Sequence, residues 1–144
     1  MAEFNFLAIF VAALSTMIVG SIWYGPLFGK DFMASKGMNT WTPEEQAKMK
    51  SKMMGMYIQQ LICSFVTAFV IANILWAFSI ARPDQSALSA GLQGGFWIWL
   101  GFYLPVKYGE KLWSGSKGNR MFFIESGYSL IILVVMSLIL SYWR

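Results

Sequence analysis

A chain of 144 residues that is 57% hydrophobic and only 12% charged does not have the composition of an ordinary soluble domain, about a quarter of which is charged. There is no histidine, which excludes imidazole catalysis, histidine haem ligation and most zinc and iron sites, and a single cysteine excludes thiolate clusters and an intrachain disulfide. The net charge of +4 gives no indication of nucleic acid and reads as a topology signal with weak attraction to anionic lipid heads.

The apolar residues are gathered into four blocks, residues 4–24, 56–80, 87–108 and 121–143. Each matches or exceeds the ~20 residues a helix needs to cross ~30 Å of hydrocarbon. Four such blocks leave too little polar chain to cover a soluble core, and they lack the in-out alternation of barrel strands. The expected fold is an all-α membrane protein, a single domain in which four transmembrane helices form a bundle.

The first block is read as a helix and not as a signal peptide, because Glu3 precedes it, no Lys or Arg does, and no A-x-A site closes it. Gly25-Pro26 ends it, since proline cannot continue a helix and glycine permits a sharp exit. In the loop 25–55, Thr42-Pro43-Glu44-Glu45 combines an N-cap, a first-turn proline and a capping-box acid. A helix therefore starts at Pro43 and runs into the second span, with Gly55 its one weak point. Four methionines at 49, 53, 54 and 56 suit either a soft-metal site or flexible contact with the membrane interface, and the second is the simpler reading. Cys63, within the second span, reads as a small packing residue.

Basic residues fix the orientation. Lys30, Lys36, Lys48, Lys50 and Lys52 lie in the first connection and Lys107, Lys111, Lys117 and Arg120 in the third, leaving only Arg82 in the second and Arg144 at the end. By the positive-inside rule both termini face outward and the first and third loops are cytoplasmic. Trp23, Tyr24, Tyr108 and Trp113 on the inner side, and Trp76, Tyr142 and Trp143 on the outer, form the expected aromatic belts.

Small residues at four-residue spacing mark helix-packing ridges: Ala8, Ala12, Thr16 and Gly20; Ser64, Ala68 and Ala72; Ala87, Gly91 and Gly95; Ser137 and Ser141. On the third span, Leu92, Phe96, Trp99 and Tyr103 are expected to project opposite Gly94, Ile98, Gly101 and Pro105, as a bulky face toward lipid or another subunit. The two halves also echo one another. Tyr24-Gly25-Pro26 aligns with Tyr103-Leu104-Pro105, and Tyr57-Ile58-Gln59 with Phe123-Ile124-Glu125, as in a parallel repeat of two hairpins or a chance likeness.

Among candidate site residues, Glu125 is the one acid inside a span, near its inner end. It has two readings: an ion pair with Lys107 across the hairpin, or a proton relay or cation site with Gln59 and Tyr128. Asn73 and Gln93, at equal depth on antiparallel spans, are expected to hydrogen-bond each other or share a water. No catalytic residue, cofactor or metal ligand set is indicated.

Trp23-Tyr24-Gly25-Pro26-Leu27-Phe28-Gly29-Lys30, with Phe32-Met33 after it and Phe123-Ile124-Glu125-Ser126-Gly127-Tyr128 opening the last span, resembles the bacterial domain-of-unknown-function 1761 family over the whole chain. The resemblance implies a compact four-span protein of the bacterial inner membrane and brings no substrate or catalytic residue. Two functions remain open. One is a non-enzymatic bundle among membrane lipids that associates with itself or with a larger complex. The other is a transporter or channel for a small solute or lipid, using Glu125 near the cytoplasmic mouth.

Overall fold

The computed structural model describes residues 4–114 and 118–143. Glu3, Lys117 and Arg144, which entered the charge and leader arguments, lie outside the described residues. Within them the chain is helical, with no strand: α1 Phe6–Ile22, α2 Gly29–Ser35, α3 Pro43–Ala81, α4 Ala87–Ile98, α5 Leu104–Trp113 and α6 Arg120–Tyr142. Short π-helical segments, Trp23–Leu27 and Trp99–Tyr103, follow α1 and α4.

The helix starts are those that capping chemistry dictates. Asn5 caps α1 through Oδ1, which accepts the Ala8 N–H at 3.1 Å, and Ser86 caps α4 through Oγ, which accepts from Ser89 at 3.3 Å. The capping box at α3 is complete: Thr42 Oγ1 accepts the Glu45 N–H at 3.3 Å and Glu45 Oε2 accepts the Thr42 N–H at 2.7 Å. As expected, α3 then runs without a break through Gly55 for 39 residues. At ~1.5 Å per residue it is ~58 Å long, so its N-terminal part extends well past the ~30 Å of a hydrocarbon core.

Gly25-Pro26 does not end the first helix. The chain widens instead, and the Phe28 N–H reaches back five residues to the Trp23 carbonyl at 2.9 Å. A wider turn relieves the clash between the proline ring and the carbonyl four residues earlier, and it bypasses the missing N–H. The same device precedes Pro105, where the Leu104 N–H bonds the Trp99 carbonyl.

Three helices are long and apolar enough to cross a membrane: Phe6–Leu27, Pro43–Ala81 and Arg120–Tyr142. The expected third span is less clear-cut. It is helical from Ala87 to Trp113 but is interrupted by the π segment, and Gln93 and five glycines dilute its apolar character.

The core lies where α1, α3, α4 and α6 meet. α3 and α6 touch, and α1 and α4 each pack against both. Small residues allow this. Ala8, Ala12, Ala13 and Ala68 are fully buried beside Ile9, Ile71, Leu75 and Met136. α3 buries a narrow stripe, Ser64, Ala68, Ile71 and Leu75, spaced at the helical repeat. The closest approach is α4 on α6. A Cβ added at Gly95 would lie 2.6 Å from Val134 Cα, and one at Gly91 would lie 2.8 Å from Leu138 Cα. The predicted Gly91–Gly95 ridge is thus a backbone-to-backbone contact.

The bulky face of the third span is not continuous. Leu92 and Phe96 point outward, but Trp99 and Tyr103 pack on the core while Gly101 is exposed. The π segment puts an extra residue into the turn and rotates the positions after it, Gly101 and Tyr103, whereas Trp99, four residues beyond Gly95, lies near the packed ridge even on a uniform helical wheel.

Candidate functional site

The polar and aromatic groups that carry possible chemistry collect at the end of the bundle bearing α2 and α5, around the first two turns of α6. Two tryptophans, each opening a π segment, grip α6 from opposite sides of the sequence. The Trp23 indole N–H donates to the Ile124 carbonyl at 3.1 Å, and that of Trp99 donates to the Ser126 carbonyl at 2.9 Å. The two bonds bracket Glu125. They also reveal the register of the internal echo. Trp23-Tyr24-Gly25 corresponds to Trp99-Leu100-Gly101, whereas the alignment on Tyr24 and Tyr103 is shifted. A Trp-x-Gly recurring shortly before a proline was the available sequence signal.

Trp23 and Tyr24, expected in an interfacial belt, turn inward. Trp23 stacks near Phe28 at 4.9 Å between ring centroids, and Tyr24 packs edge-on to Tyr128 at 5.0 Å. Tyr128 donates its hydroxyl to the Thr16 carbonyl at 3.2 Å. Gly20 makes room for that phenol, since a Cβ there would lie 3.0 Å from the hydroxyl oxygen. One turn deeper, Thr16 and Ser64 share a buried hydrogen bond of 2.9 Å between α1 and α3.

Glu125 is half-buried and lines a cleft of about 240 Å³ between α5 and α6, together with Lys107, Glu110, Lys111 and Phe122. The expected Lys107–Glu125 bond is not made. Lys107 Nζ bonds Glu110 Oε2 at 2.9 Å, one turn along its own helix, where little side-chain freedom is lost in forming the pair. Lys107 and Glu125 therefore share the cleft without pairing. Gln59 is exposed on α3 and joins neither of them; its neighbour Gln60, also exposed, donates to Ser64 Oγ at 3.3 Å along the same helix. Tyr128 is engaged with α1, away from the cleft. Glu125, Gln59 and Tyr128, expected as one relay, are thus not brought together, and Lys107 shares only the cleft with Glu125.

Asn73 and Gln93 do not bond each other. Asn73 donates to the Phe69 carbonyl at 2.8 Å and Gln93 to Ser89 Oγ at 2.9 Å, each within its own helix. The reason is rotational. Asn73 lies midway in sequence between buried Ile71 and Leu75 and so points ~200° away from the stripe that α3 buries, while Gln93, midway between Gly91 and Gly95, turns away from α6 into a crevice beside Leu75. Equal depth did not bring them to facing sides.

Sequence reading missed the strongest ion pair. Arg120, opening α6, grips Asp31 of α2 with both nitrogens: Nε to Oδ1 at 2.6 Å and Nη2 to Oδ2 at 3.0 Å. The hydrogen bond from the guanidinium holds the Asp31 carboxyl below the usual carboxylate range. At a separation of 89 residues, only the fold could bring these partners together. No group of three or more acidic or cysteine side chains that could hold a metal occurs among the described residues.

The architecture defines an all-helical protein with membrane-length apolar helices and a girdled last helix. The chain belongs to the family described as a protein of unknown function (DUF1761), whose model matches residues 7–141. No curated protein and no solved structure matches it.

Proposed function

We propose that this chain is a four-span integral membrane protein, not an enzyme, that works by lateral helix association, as a homo-oligomer or a small accessory subunit. The observation that carries the membrane assignment is the apolar outer surface. Phe6, Ile18, Ile62, Phe102 and Phe123 are each about 60–75% exposed, on all four long helical segments. A water-facing surface of that kind is untenable for a soluble monomer. Residues 87–108 supply the fourth span, with Leu92, Phe96 and Trp97 toward lipid. Charge asymmetry then puts both termini outside, with α2, the C-terminal end of α5 and the start of α3 in the cytoplasm.

Association is favoured over transport because the helices meet through backbone-close glycine and alanine contacts, which fill the space a solute path would need. Single-molecule photobleaching of the labelled protein, extracted with its native lipid into nanodiscs, tests this. Two or more copies per disc, or a stoichiometric second protein, is the expected result. Monomers with no companion protein would refute it.

The cleft at Glu125 favours a second reading, a solute pathway at the cytoplasmic mouth. Proteoliposomes with an internal pH dye would then show a proton or cation leak that Glu125→Gln abolishes. An equal flux in both proteins would eliminate this role for Glu125.

A further inference from the structure

α3 and α4 are joined by the short turn at residues 82–86, yet they pack on each other less extensively than the other pairs of neighbouring long helices. Between them lies a crevice of about 90 Å³, walled by Leu75 and Phe78 on α3 and by Gly94 and Trp97 on α4. Its walls are apolar and laterally open: Phe78 is 49% exposed and Trp97 59%. Its mouth is polar. Arg82, Gln85 and Gln93 line it.

The fold holds these three groups in place. The Arg82 N–H bonds the Phe78 carbonyl at 2.9 Å and the Gln85 N–H bonds the Arg82 carbonyl at 3.2 Å, closing the turn. Gln85 and Gln93 donate to the same acceptor, Ser89 Oγ, at 3.2 and 2.9 Å, which aligns both amides along one face of α4. Among the described residues the Arg82 guanidinium makes no ion pair or side-chain hydrogen bond, with Asp84 of its own turn included. A free cation at head-group level, two amides below it and an apolar slot leading toward mid-bilayer repeat the order of groups in a phospholipid.

We propose that the α3–α4 crevice is a binding site for one phospholipid of the outer leaflet. Arg82 takes its phosphate, Gln85 and Gln93 take the glycerol-ester region, and part of one acyl chain lies between Phe78 and Trp97. The site depends on the membrane-spanning reading but not on lateral association.

The test uses the full chain in phosphatidylglycerol vesicles doped with phosphatidylglycerol bearing a mid-chain diazirine. After irradiation, the labelled peptides are mapped by mass spectrometry. Labelling is expected to concentrate on the end of α3 and on α4. Arg82→Gln should lower it there about fivefold, the loss for one basic residue near a lipid surface, with labelling elsewhere unchanged. Gln93→Leu, a change on an exposed face, should lower it about twofold, as for one weak hydrogen bond. Even labelling around all the long helices, or α3–α4 labelling that Arg82→Gln leaves intact, would overturn the site. If no helix were labelled at mid-chain depth, the membrane-spanning reading would fail as well, so the two failures are distinguishable.

Discussion

Replacing Gly95 by alanine introduces a methyl carbon 2.6 Å from Val134 Cα, 2.8 Å from the Leu133 carbonyl oxygen and 2.8 Å from Val134 N. All three are backbone atoms of α6, so no rotamer change can relieve the overlap. Carbon atoms reach ordinary contact near 3.5 Å, so α4 must withdraw by ~0.9 Å along this ridge. A gap of 0.5–1 Å forfeits a quarter to a half of each affected dispersion contact. Overpacking of this kind costs about 1–3 kcal/mol, and the rigidity of the opposing atoms puts Gly95→Ala near 2 kcal/mol. The assay is unfolding in dodecyl maltoside micelles titrated with SDS, followed by tryptophan fluorescence. Gly109→Ala is the control, because a Cβ there meets nothing within 4 Å. The alanine should leave that control unchanged or slightly more stable through helix propensity. If Gly95→Ala unfolded at the same SDS fraction as Gly109→Ala, the close approach of α4 to α6 would be refuted. Combining it with Gly91→Ala should cost less than the sum of the two, since one displacement of α4 relieves both.

Trp99→Phe removes the indole donor to the Ser126 carbonyl, which keeps the Ser129 hydroxyl at 2.9 Å, so the loss should be about 0.5 kcal/mol in the same assay. Wild-type stability in that variant would show the bond to be inert. A double-mutant cycle on Thr16→Val and Ser64→Ala should return a coupling near the ~0.6 kcal/mol average for interhelical bonds in membranes, and zero coupling would mean that the two hydroxyls do not interact. Asp31 should make the docking of α2 acid-sensitive. Its folded carboxyl titrates below the ordinary range, so its contribution is complete above that range and disappears as pH falls through the lowered value. Anisotropy of a probe at Met33→Cys, in a Cys63→Ser background, should fall only in acid. With Asp31→Asn it should be low at every pH, and an unchanged anisotropy at neutral pH would refute the clamp.

The amino-acid sequence by itself determined the helical class, the long helix from the Thr42 cap through Gly55, the family and the glycine ridge at 91 and 95. Each of these is a local property: runs of apolar residues, a capping box four residues long, and small side chains at helical spacing. Tertiary structure decided what depends on rotation and on distant partners. The π segment that opens at Trp99 turned Tyr103 inward, against a uniform helical wheel, and Trp23 and Tyr24 pack toward α6 where depth alone put them in an interfacial belt. Asn73 and Gln93 matched in depth but not in facing direction. Lys107 preferred the acid one turn away to the one across the hairpin. The Asp31–Arg120 clamp joins residues far apart in the chain. Depth along a helix can be counted from its ends, but the direction in which a side chain points depends on every turn before it, and one widened turn is enough to change it.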